Sequence, residues 1–155
     1  MSERTKVVVF RLDEHRYALS IDNVERIVRA VEVTPLPGSP EIVLGAISVA
    51  GRILPVLDMR RRFGLPQREI TPADHFLIGR TAQRTVVLAI DQADGVIDTD
   101  PGTVTASADI VPSLAHVQGV ARLDDGLALI HDLDTFLSSD EAFSLDAAMV
   151  QAQRC

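Results

Sequence analysis

The sequence has very few cysteine and aromatic residues. Its 155 residues include one cysteine, Cys155, no tryptophan and 4% aromatic residues in total. A single cysteine excludes a disulfide framework and a cysteine-based metal site, and it fits a reducing compartment. The hydrophobic content is nevertheless 46%, so the chain can bury one core. We therefore expect one compact domain rather than a disordered or fibrous chain.

Long hydrophobic runs are also missing. No run approaches the roughly 20 apolar residues that cross a bilayer as a helix. The apolar stretch nearest the N-terminus, Val7–Phe10, is too short for a signal peptide. The sequence therefore predicts neither membrane insertion nor secretion by that route, and we expect a cytoplasmic protein.

Basic residues are fewer than acidic residues. The chain has 15 Lys and Arg residues against 22 Asp and Glu residues, which gives a net charge of −7 at pH 7. Such a chain repels phosphate backbones, so nucleic acid is not an expected partner. The only basic cluster is Arg60-Arg61-Arg62. Because successive residues of a short helix point in different directions, we interpret this cluster as a solvated helix surface without a functional role.

Recognisable catalytic and metal-binding motifs are absent. The sequence has no Gly-x-Ser-x-Gly elbow, no phosphate-binding loop and no Gly-x-Gly-x-x-Gly that opens a helix. The histidines have no metal-binding spacing; they are His15, His75, His116 and His131. A group of carboxylates lacks calcium-loop spacing and is interpreted as turn residues and strand-end caps; its members are Asp91, Asp94, Asp98 and Asp100. We therefore predict no enzymatic activity, no metal site and no cofactor.

What the sequence does contain is a series of short β patterns. Alternating apolar residues on either side of short polar turns predict three β-hairpins. These hairpins pair residues 7–12 with 17–21, 75–80 with 85–91, and 117–123 with 127–131. Many short strands separated by turns indicate a mainly β protein, either a barrel or a sandwich.

Helical patterns are few. Asp22 can cap a helix in which Val24, Ile27, Val28 and Val31 form one apolar stripe, and we expect that helix to lie on the β structure. Residues 34–40 contain three prolines and must form a turn. Near the C-terminus, a short helix is predicted from Asp132 through Leu137, and a weaker one from Glu141 to Gln151.

The run from Gly45 to Leu65 carries the most specific pattern. It reads as a glycine-hinged strand, a second strand that contains Pro55, and a short helix capped by Asp58 and ended by Gly64. This run resembles the signature of the CheW-like family, the coupling proteins of bacterial chemosensory arrays. The resemblance extends from about Lys6 to Leu137.

The resemblance implies a fold and a set of structural positions. The implied fold is mainly β, with two small five-stranded β-barrels packed side by side and a few short helices. We expect residues 1–137 to form this domain, with two barrel lobes, and residues 138–155 to form a helical or mobile tail. The positions that match the family's structural motif are Gly45, Gly51, Pro55, Asp58, Phe63 and Asp91.

The resemblance also implies partners. The family binds the regulatory domain of the CheA-type histidine kinase and the cytoplasmic tip of chemoreceptors, and other CheW-like domains are a further candidate. A groove between two lobes could receive a partner helix through exposed apolar side chains. The residues assigned to this partner-binding surface are Ile21, Val24, Arg26, Ile27, Ser48, Val49, Ala50 and Arg52.

Three of these positions depart from the family pattern. Ser48 and Ala50 stand where the family usually has Asn and Arg, and Arg26 stands where it usually has Glu. If the usual Glu and Arg face each other, replacing only one of them would leave the other charge without a partner. Replacing both is therefore the less damaging change. A surface built around Arg26 favours a more acidic partner helix.

Three hypotheses follow. The first is an adaptor that links kinase and receptor. The second is a divergent regulator or competitor that binds only one of them, in a non-flagellar chemosensory pathway. The third is a small-ligand-binding β-barrel or an unrecognised hydrolase, which a pocket holding two or more of His75, His116, His131 and Asp91 would favour. Ile21, Val24, Ile27 and Val28 could instead simply be core residues, as in most amphipathic helices.

Overall fold

The computed structural model describes residues 5–99, 104–106, 117–123 and 126–153. Its strands are β1 (Thr5–Leu12), β2 (His15–Ser20), β3 (Val24–Arg29), β4 (Val43–Val49), β5 (Arg52–Leu57), β6 (His75–Arg80), β7 (Thr85–Ile90), β8 (Gln92–Thr99), β9 (Val104–Ala106), β10 (Val117–Leu123) and β11 (Gly126–His131). Within these ranges the α-helices are α1 (Met59–Phe63) and α2 (Ser139–Gln153), and two 3-10 helices span Ile21–Asn23 and Leu133–Thr135. The predicted mainly β class is confirmed.

The strands form two sheets. The first has six strands in the order β8-β1-β2-β11-β10-β9, and the second has five in the order β3-β6-β7-β5-β4. Each sheet contains one parallel pair, β2 with β11 and β5 with β7, among antiparallel pairs. The expectation of two closed five-stranded barrels is therefore wrong in this detail, although the two-lobed arrangement is confirmed.

The five-stranded sheet curls without closing. Among the described residues, its edge strands β3 and β4 do not pair with each other. A single bridge instead joins Thr34, in the segment after β3, to Ala46 of β4. The Thr34 N–H donates to the Ala46 carbonyl at 3.0 Å, and the reverse hydrogen bond is 2.8 Å long. Pro35 and Pro37 follow Thr34 and have no N–H to donate, so the ladder cannot continue past this bridge.

All three predicted hairpins are confirmed. In register, Val8 lies opposite Leu19 in the first hairpin, and Leu77 lies opposite Leu88 in the second. In the third, Ala121 lies opposite Ala128. Short apolar segments of strand length, bounded by polar turns, were sufficient to predict these pairs.

The predicted helix that begins at Asp22 is wrong. Residues 24–29 form strand β3, which pairs antiparallel with β6, and Asp22 lies in the preceding 3-10 turn. A β-bulge shifts the register between Val24 and Arg26. The bulge lets Val24 and Ile27 both pack against the core, which reproduces a spacing that helices also have. The β-branched residues of this segment favour a strand once β6 offers a partner.

The two sheets share one apolar core. Val8 and Leu19 of the six-stranded sheet pack in the same cluster as Leu77 and Leu88 of the five-stranded sheet. Each sheet also encloses a smaller cluster on its other face, which includes Val9 in the first sheet and Phe76 in the second. Both faces of the central strands are therefore buried, which explains why these strands read as nearly continuous apolar runs.

Helix α2 packs on the shared core. Leu145 is fully buried and Met149 is 3% exposed, and both belong to the shared cluster. An ion pair of 2.6 Å joins Arg62 of α1 to Glu141 of α2. The predicted helix at 141–151 is thus confirmed, and the short helix predicted from Asp132 is a 3-10 turn, Leu133–Thr135, capped by the Asp132 carboxylate. The division of the chain at residue 137 stays a prediction.

Candidate functional site

The residues assigned to the partner-binding surface lie on the five-stranded sheet and the turn before it. The candidate docking surface consists of Ile21, Val24, Arg26, Ile27, Ser48, Val49, Ala50 and Arg52, drawn from the 3-10 turn, β3 and the β4–β5 hairpin. An ion pair of 2.6 Å between Arg52 Nη2 and Glu25 Oε2 joins its two parts. Strands β3 and β5 are separated by β6 and β7 in the sheet, so this contact shows how far the sheet curls. The geometry brings both parts of the surface together, while their role in binding stays a prediction.

Exposure divides the docking surface into two groups. Ile21 is 38% exposed, and Arg26, Ser48, Ala50 and Arg52 are also exposed. Val24 and Ile27 are half-buried and pack against the shared core, so their interpretation as core residues is supported. A partner can therefore reach the rim of this surface, with Val24 and Ile27 beneath it.

Two residues of this surface were missed from the sequence. Ile53 is 39% exposed and lies opposite Ser48 in the β4–β5 pair. Glu25 forms the ion pair with Arg52. Ile53 could not be identified as outward-facing, because β5 has no alternating pattern: exposed Arg52 and Ile53 are followed by four buried residues. Glu25 could not be identified, because the bulge that directs it depends on pairing with β6.

The β4–β5 turn places Ala50 and Gly51 at its tip with left-handed backbone conformations. Their φ angles are +51° and +81°. A two-residue hairpin turn with two positive φ angles matches the right-handed twist of the flanking strands. Glycine accepts this conformation without steric cost, whereas Ala50 is strained there. The strain is located at one of the positions that departs from the family pattern.

Gly45 has a different reason to be glycine. An added Cβ would lie 2.2 Å from the Thr34 carbonyl oxygen and 2.7 Å from Val33 Cγ1. The absence of a side chain thus permits the bridge between Thr34 and Ala46 that brings the sheet edges together. Gly45 supports the docking surface indirectly, through the curl of the sheet.

An arginine–aspartate cluster joins the two sheets beside α1. The Arg60 guanidinium is nearly buried and donates to both oxygens of Asp13, at 2.8 and 3.1 Å, and to Asp91 at 2.9 Å. It also donates to the Pro66 carbonyl at 3.0 Å. Asp13 lies in the β1–β2 turn and Asp91 follows β7, so one side chain connects both sheets to α1. Buried charge requires such complete pairing.

The interpretation of Arg60-Arg61-Arg62 as a solvated helix surface is therefore wrong for most of the cluster. Arg60 is 7% exposed, and the Arg62 side chain is 19% exposed and bound to Glu141. Arg61 remains at the surface, 3.4 Å from Glu41. The acidic partners of Arg60 and Arg62 come from distant parts of the chain, so neighbouring residues could not have predicted these pairs.

A second arginine extends the cluster. Arg68 donates to both oxygens of Asp74, at 2.7 and 2.9 Å, and to Asp91 at 2.6 Å. The hydrogen bond from Arg60 holds the pKa of the Asp13 carboxyl below its usual value. Burial acts to raise the pKa of Asp74, but hydrogen bonds from Arg68 and the Thr71 N–H outweigh it and leave that pKa lowered. The carboxylates are thereby kept charged and paired.

The other positions of the structural motif also stabilise this junction. Asp58 caps α1 by accepting a hydrogen bond of 3.1 Å from the Arg61 N–H, and Gly64 ends the helix with φ +72°. Phe63 stacks on Tyr17 with ring centroids 4.3 Å apart. Pro55 is buried in β5 opposite Ala46. These contacts give each residue a structural reason independent of partner binding.

A large cleft has the arginine–aspartate cluster on one side. It has a volume of about 840 Å³ and is lined by apolar residues, including Val31 and Leu44, as well as by Arg68 and Asp91. Neither His75 nor His131 lines it, and His116 lies outside the described residues. Asp91 is bound by two arginines rather than available to a substrate. This cleft therefore gives no support to the small-ligand or hydrolase hypothesis.

Two packed sheets, joined by paired charges and with an exposed rim on the five-stranded sheet, define the class as a two-sheet, mainly β protein. A sequence model described as the CheW-like domain matches residues 6–141, and the chain belongs to this family. Family membership makes the protein a CheW-type adaptor, in a family of scaffolds and adaptors. Among the described residues, no helix is long and apolar enough to cross a membrane.

Similar proteins support this assignment. The chain is 26% identical to chemotaxis protein CheW of Bacillus subtilis over 90% of both chains. It is 24% identical to chemotaxis protein CheW of Rhizobium meliloti over 88% of this chain and 89% of the other. The scaffolding protein TtCheW of Thermoanaerobacter tengcongensis superposes with a TM-score of 0.80 at 29% identity, over 90% of this chain and 96% of that one.

Proposed function

We propose that this protein is a non-enzymatic cytoplasmic adaptor that couples a CheA-type histidine kinase to chemoreceptors in a signalling array. One part of the coupling is binding to the regulatory domain of the kinase, and the other is binding to the cytoplasmic tip of the receptors. Other CheW-like domains are further candidate partners. The observation that carries the proposal is the docking surface, where exposed Ile21 and Ile53 lie among charged side chains on a curled sheet.

The charges of this surface support an altered partner preference. The family usually has an acidic residue at position 26 and a basic one at position 50, and this chain has Arg26 and Ala50 instead. Glu25 and Arg52 form an ion pair across the same region, one residue before and two residues after those positions. In the described part of the chain, Arg26 is exposed and makes no ion pair. An acidic side chain of a partner helix would pair with it.

The proposal is tested by calorimetric titration of the full chain. The first titrant is the regulatory domain of the CheA-type kinase from the same cell, and the second is a receptor-tip fragment. Binding of both supports a coupling protein. Binding of neither contradicts the proposal and would mean that the fold serves another task.

Charge reversal at position 26 tests the assigned surface. We expect Arg26→Glu to weaken partner binding about tenfold while the melting temperature stays nearly unchanged, because the side chain is exposed. Arg29→Glu is a matched control, because Arg29 is an exposed arginine of the same strand. Equal affinities for the wild-type protein and Arg26→Glu would remove position 26 from the interface.

A second function is favoured by the substitutions in the β4–β5 hairpin. Ser48 and Ala50 replace two residues that the family usually has, and Ala50 shortens the side chain at the exposed tip. Loss of one contact could leave a regulator or competitor that binds only one partner, in a non-flagellar pathway. In the same titrations this protein would bind either the kinase domain or the receptor tip, but not both.

A further inference from the structure

Helix α2 is apolar on two opposite faces. Its inner face buries Leu145, Ala148 and Met149 in the shared core. Its outer face carries Phe143, Ala147 and Val150, which are spaced by four and three residues and therefore lie on one side of the helix. Phe143 is 78% exposed and Val150 is 50% exposed. The inner face explains why the helix packs on the protein, but it does not explain the outer face.

The outer face is also acidic. Asp140 and Asp146 are exposed and flank the apolar stripe on either side, as their positions around a 3.6-residue helix require. The sequence of α2, Ser139–Gln153, contains no lysine or arginine. Asp146 forms an ion pair with Arg84, whereas Asp140 makes no ion pair within the described residues. The Asp146 border is thus neutralised by Arg84, whereas the Asp140 border leaves an exposed carboxylate that a cation of a partner can pair with.

We propose that the outer face of α2 binds a cationic amphipathic helix of a partner protein. Apolar side chains of that helix would pack on Phe143, Ala147 and Val150, and a lysine or arginine beside them would pair with Asp140. A large exposed aromatic side chain such as Phe143, at one end of the stripe, is a typical anchor of such contacts. This surface is separate from the docking surface on the five-stranded sheet and does not depend on its role.

Charge selects this occupant over two others. In a second copy of the chain, α2 has no lysine or arginine to offer to Asp140, so that carboxylate would stay without a cationic partner at such an interface. Membrane-surface helices are typically rich in lysine and arginine on their polar face, because lipid surfaces are often anionic. Helix α2 has the opposite charge. A cationic protein helix satisfies both the apolar stripe and the exposed Asp140 carboxylate.

The test uses fluorescence anisotropy with the full chain and a labelled synthetic helix of leucine and lysine. A peptide in which glutamate replaces every lysine is the control ligand. We expect the cationic peptide to bind and the acidic one to bind at least about tenfold more weakly. Phe143→Ser should weaken binding of the cationic peptide about tenfold, and Asp140→Lys about threefold. Ala147→Lys provides a second variant that blocks the stripe without removing the aromatic side chain.

Leu127→Ser is the matched control variant, because Leu127 is a large apolar residue, 61% exposed, on β11 rather than on α2. It should bind the cationic peptide like the wild-type protein. The proposal is overturned if neither peptide binds, or if Phe143→Ser and Leu127→Ser have the same effect. Dimerisation that Phe143→Ser abolishes in sedimentation velocity would overturn it in favour of a second copy. Binding to anionic vesicles that depends on Phe143 would overturn it in favour of a membrane.

Discussion

Ala50 holds a backbone conformation that other residue types accept more easily. Its φ of +51° places it in the left-handed region, at the tip of the hairpin that carries part of the docking surface. An L-residue with a Cβ loses about 1–2 kcal/mol there relative to the right-handed region. The protein therefore keeps a small local strain at an exposed position, where relief of the strain should not disturb packing.

We expect Ala50→Gly to stabilise the protein. Glycine removes the steric strain but gives the unfolded chain more freedom, so the net gain should be about 0.5–1 kcal/mol. The free energy of unfolding from urea titration measures it. Gly51→Ala, at φ +81° in the same turn, is the matched control and should destabilise the protein by about 1 kcal/mol. A loss of stability in Ala50→Gly would show that the turn does not keep this conformation in solution.

The paired carboxylates predict a loss of stability in acid. Burial acts to raise the pKa values of Asp74 and Glu141, but hydrogen bonds from Arg68 to Asp74 and from the Ser138 N–H and Arg62 to Glu141 leave both pKa values lowered. The unfolded chain therefore takes up these protons at a higher pH than the folded protein. Their stabilisation is present above the ordinary carboxyl pKa of about 4 and is lost as the pH falls through the folded pKa values.

Urea midpoints between pH 6 and the acid limit of folding measure this dependence. The midpoint should be nearly constant down to about pH 5 and then fall. In Arg68→Gln, Asp74 loses its charged partner, so the fall below pH 5 should be shallower than in the wild-type protein. An equally steep fall in that variant would show that the Arg68–Asp74 pair does not cause the pH dependence.

At the level of single elements, local pattern predicted the hairpins and failed for β3. The first hairpin could be predicted because Val8 and Leu19 alternate with polar or oppositely directed residues around a short turn. In β3, the spacing of Val24 and Ile27 fits a helix, and only the bulge opposite β6 reconciles that spacing with a strand. A bulge is set by the partner strand, so the sequence of β3 alone does not determine it.

Within the candidate surface, the hairpin could be predicted from the sequence, whereas the contacts could not. Ser48 to Arg52 form one hairpin, which a glycine at its turn indicates directly. The ion pair between Glu25 and Arg52 joins residues 27 positions apart and depends on the curl of the sheet. The ion pair between Arg60 and Asp13 likewise joins residues far apart in the sequence, 47 positions from each other.

The curl of the five-stranded sheet should depend on Gly45. An alanine there would place its Cβ 2.2 Å from the Thr34 carbonyl oxygen, so the bridge between Thr34 and Ala46 must open. We expect Gly45→Ala to lower the free energy of unfolding by at least about 2 kcal/mol and to weaken binding of the kinase domain or receptor tip.

Gly126→Ala provides the matched control for this substitution. Gly126 has a φ of +151°, close to the +155° of Gly45, but nothing lies within 4 Å of an added Cβ. Urea titration measures the unfolding free energy of both variants. Because the two glycines have similar φ angles, the difference between the variants gives the cost of the contact between an added Cβ and the Thr34 carbonyl oxygen. Similar losses in both variants would show that the contact with Thr34 is not the cause.

At the level of the whole molecule, the two sheets and α2 form a single packed body. Phe10 of β1, Leu88 of β7 and Leu145 of α2 belong to one buried cluster. Arg60 adds a polar connection between the sheets. Half-buried Val24 and Ile27 of the docking surface pack against the same cluster, so this surface, both sheets and α2 are joined by packed contacts.

The packing of α2 can be tested by comparing two of its residues. Leu145 is fully buried in the shared core and Phe143 is 78% exposed, two positions earlier on the same helix. We expect Leu145→Ala to lower the free energy of unfolding by about 2–4 kcal/mol, because it leaves a cavity between α2 and the sheets. Phe143→Ala should change it by less than about 0.5 kcal/mol. Urea titration of both variants measures the difference.

If Leu145→Ala changes the free energy of unfolding as little as Phe143→Ala does, then α2 contributes little to the core and residues 138–155 behave as a separate tail. If Leu145→Ala instead lowers the free energy of unfolding strongly, then the helix is part of the domain that carries the docking surface.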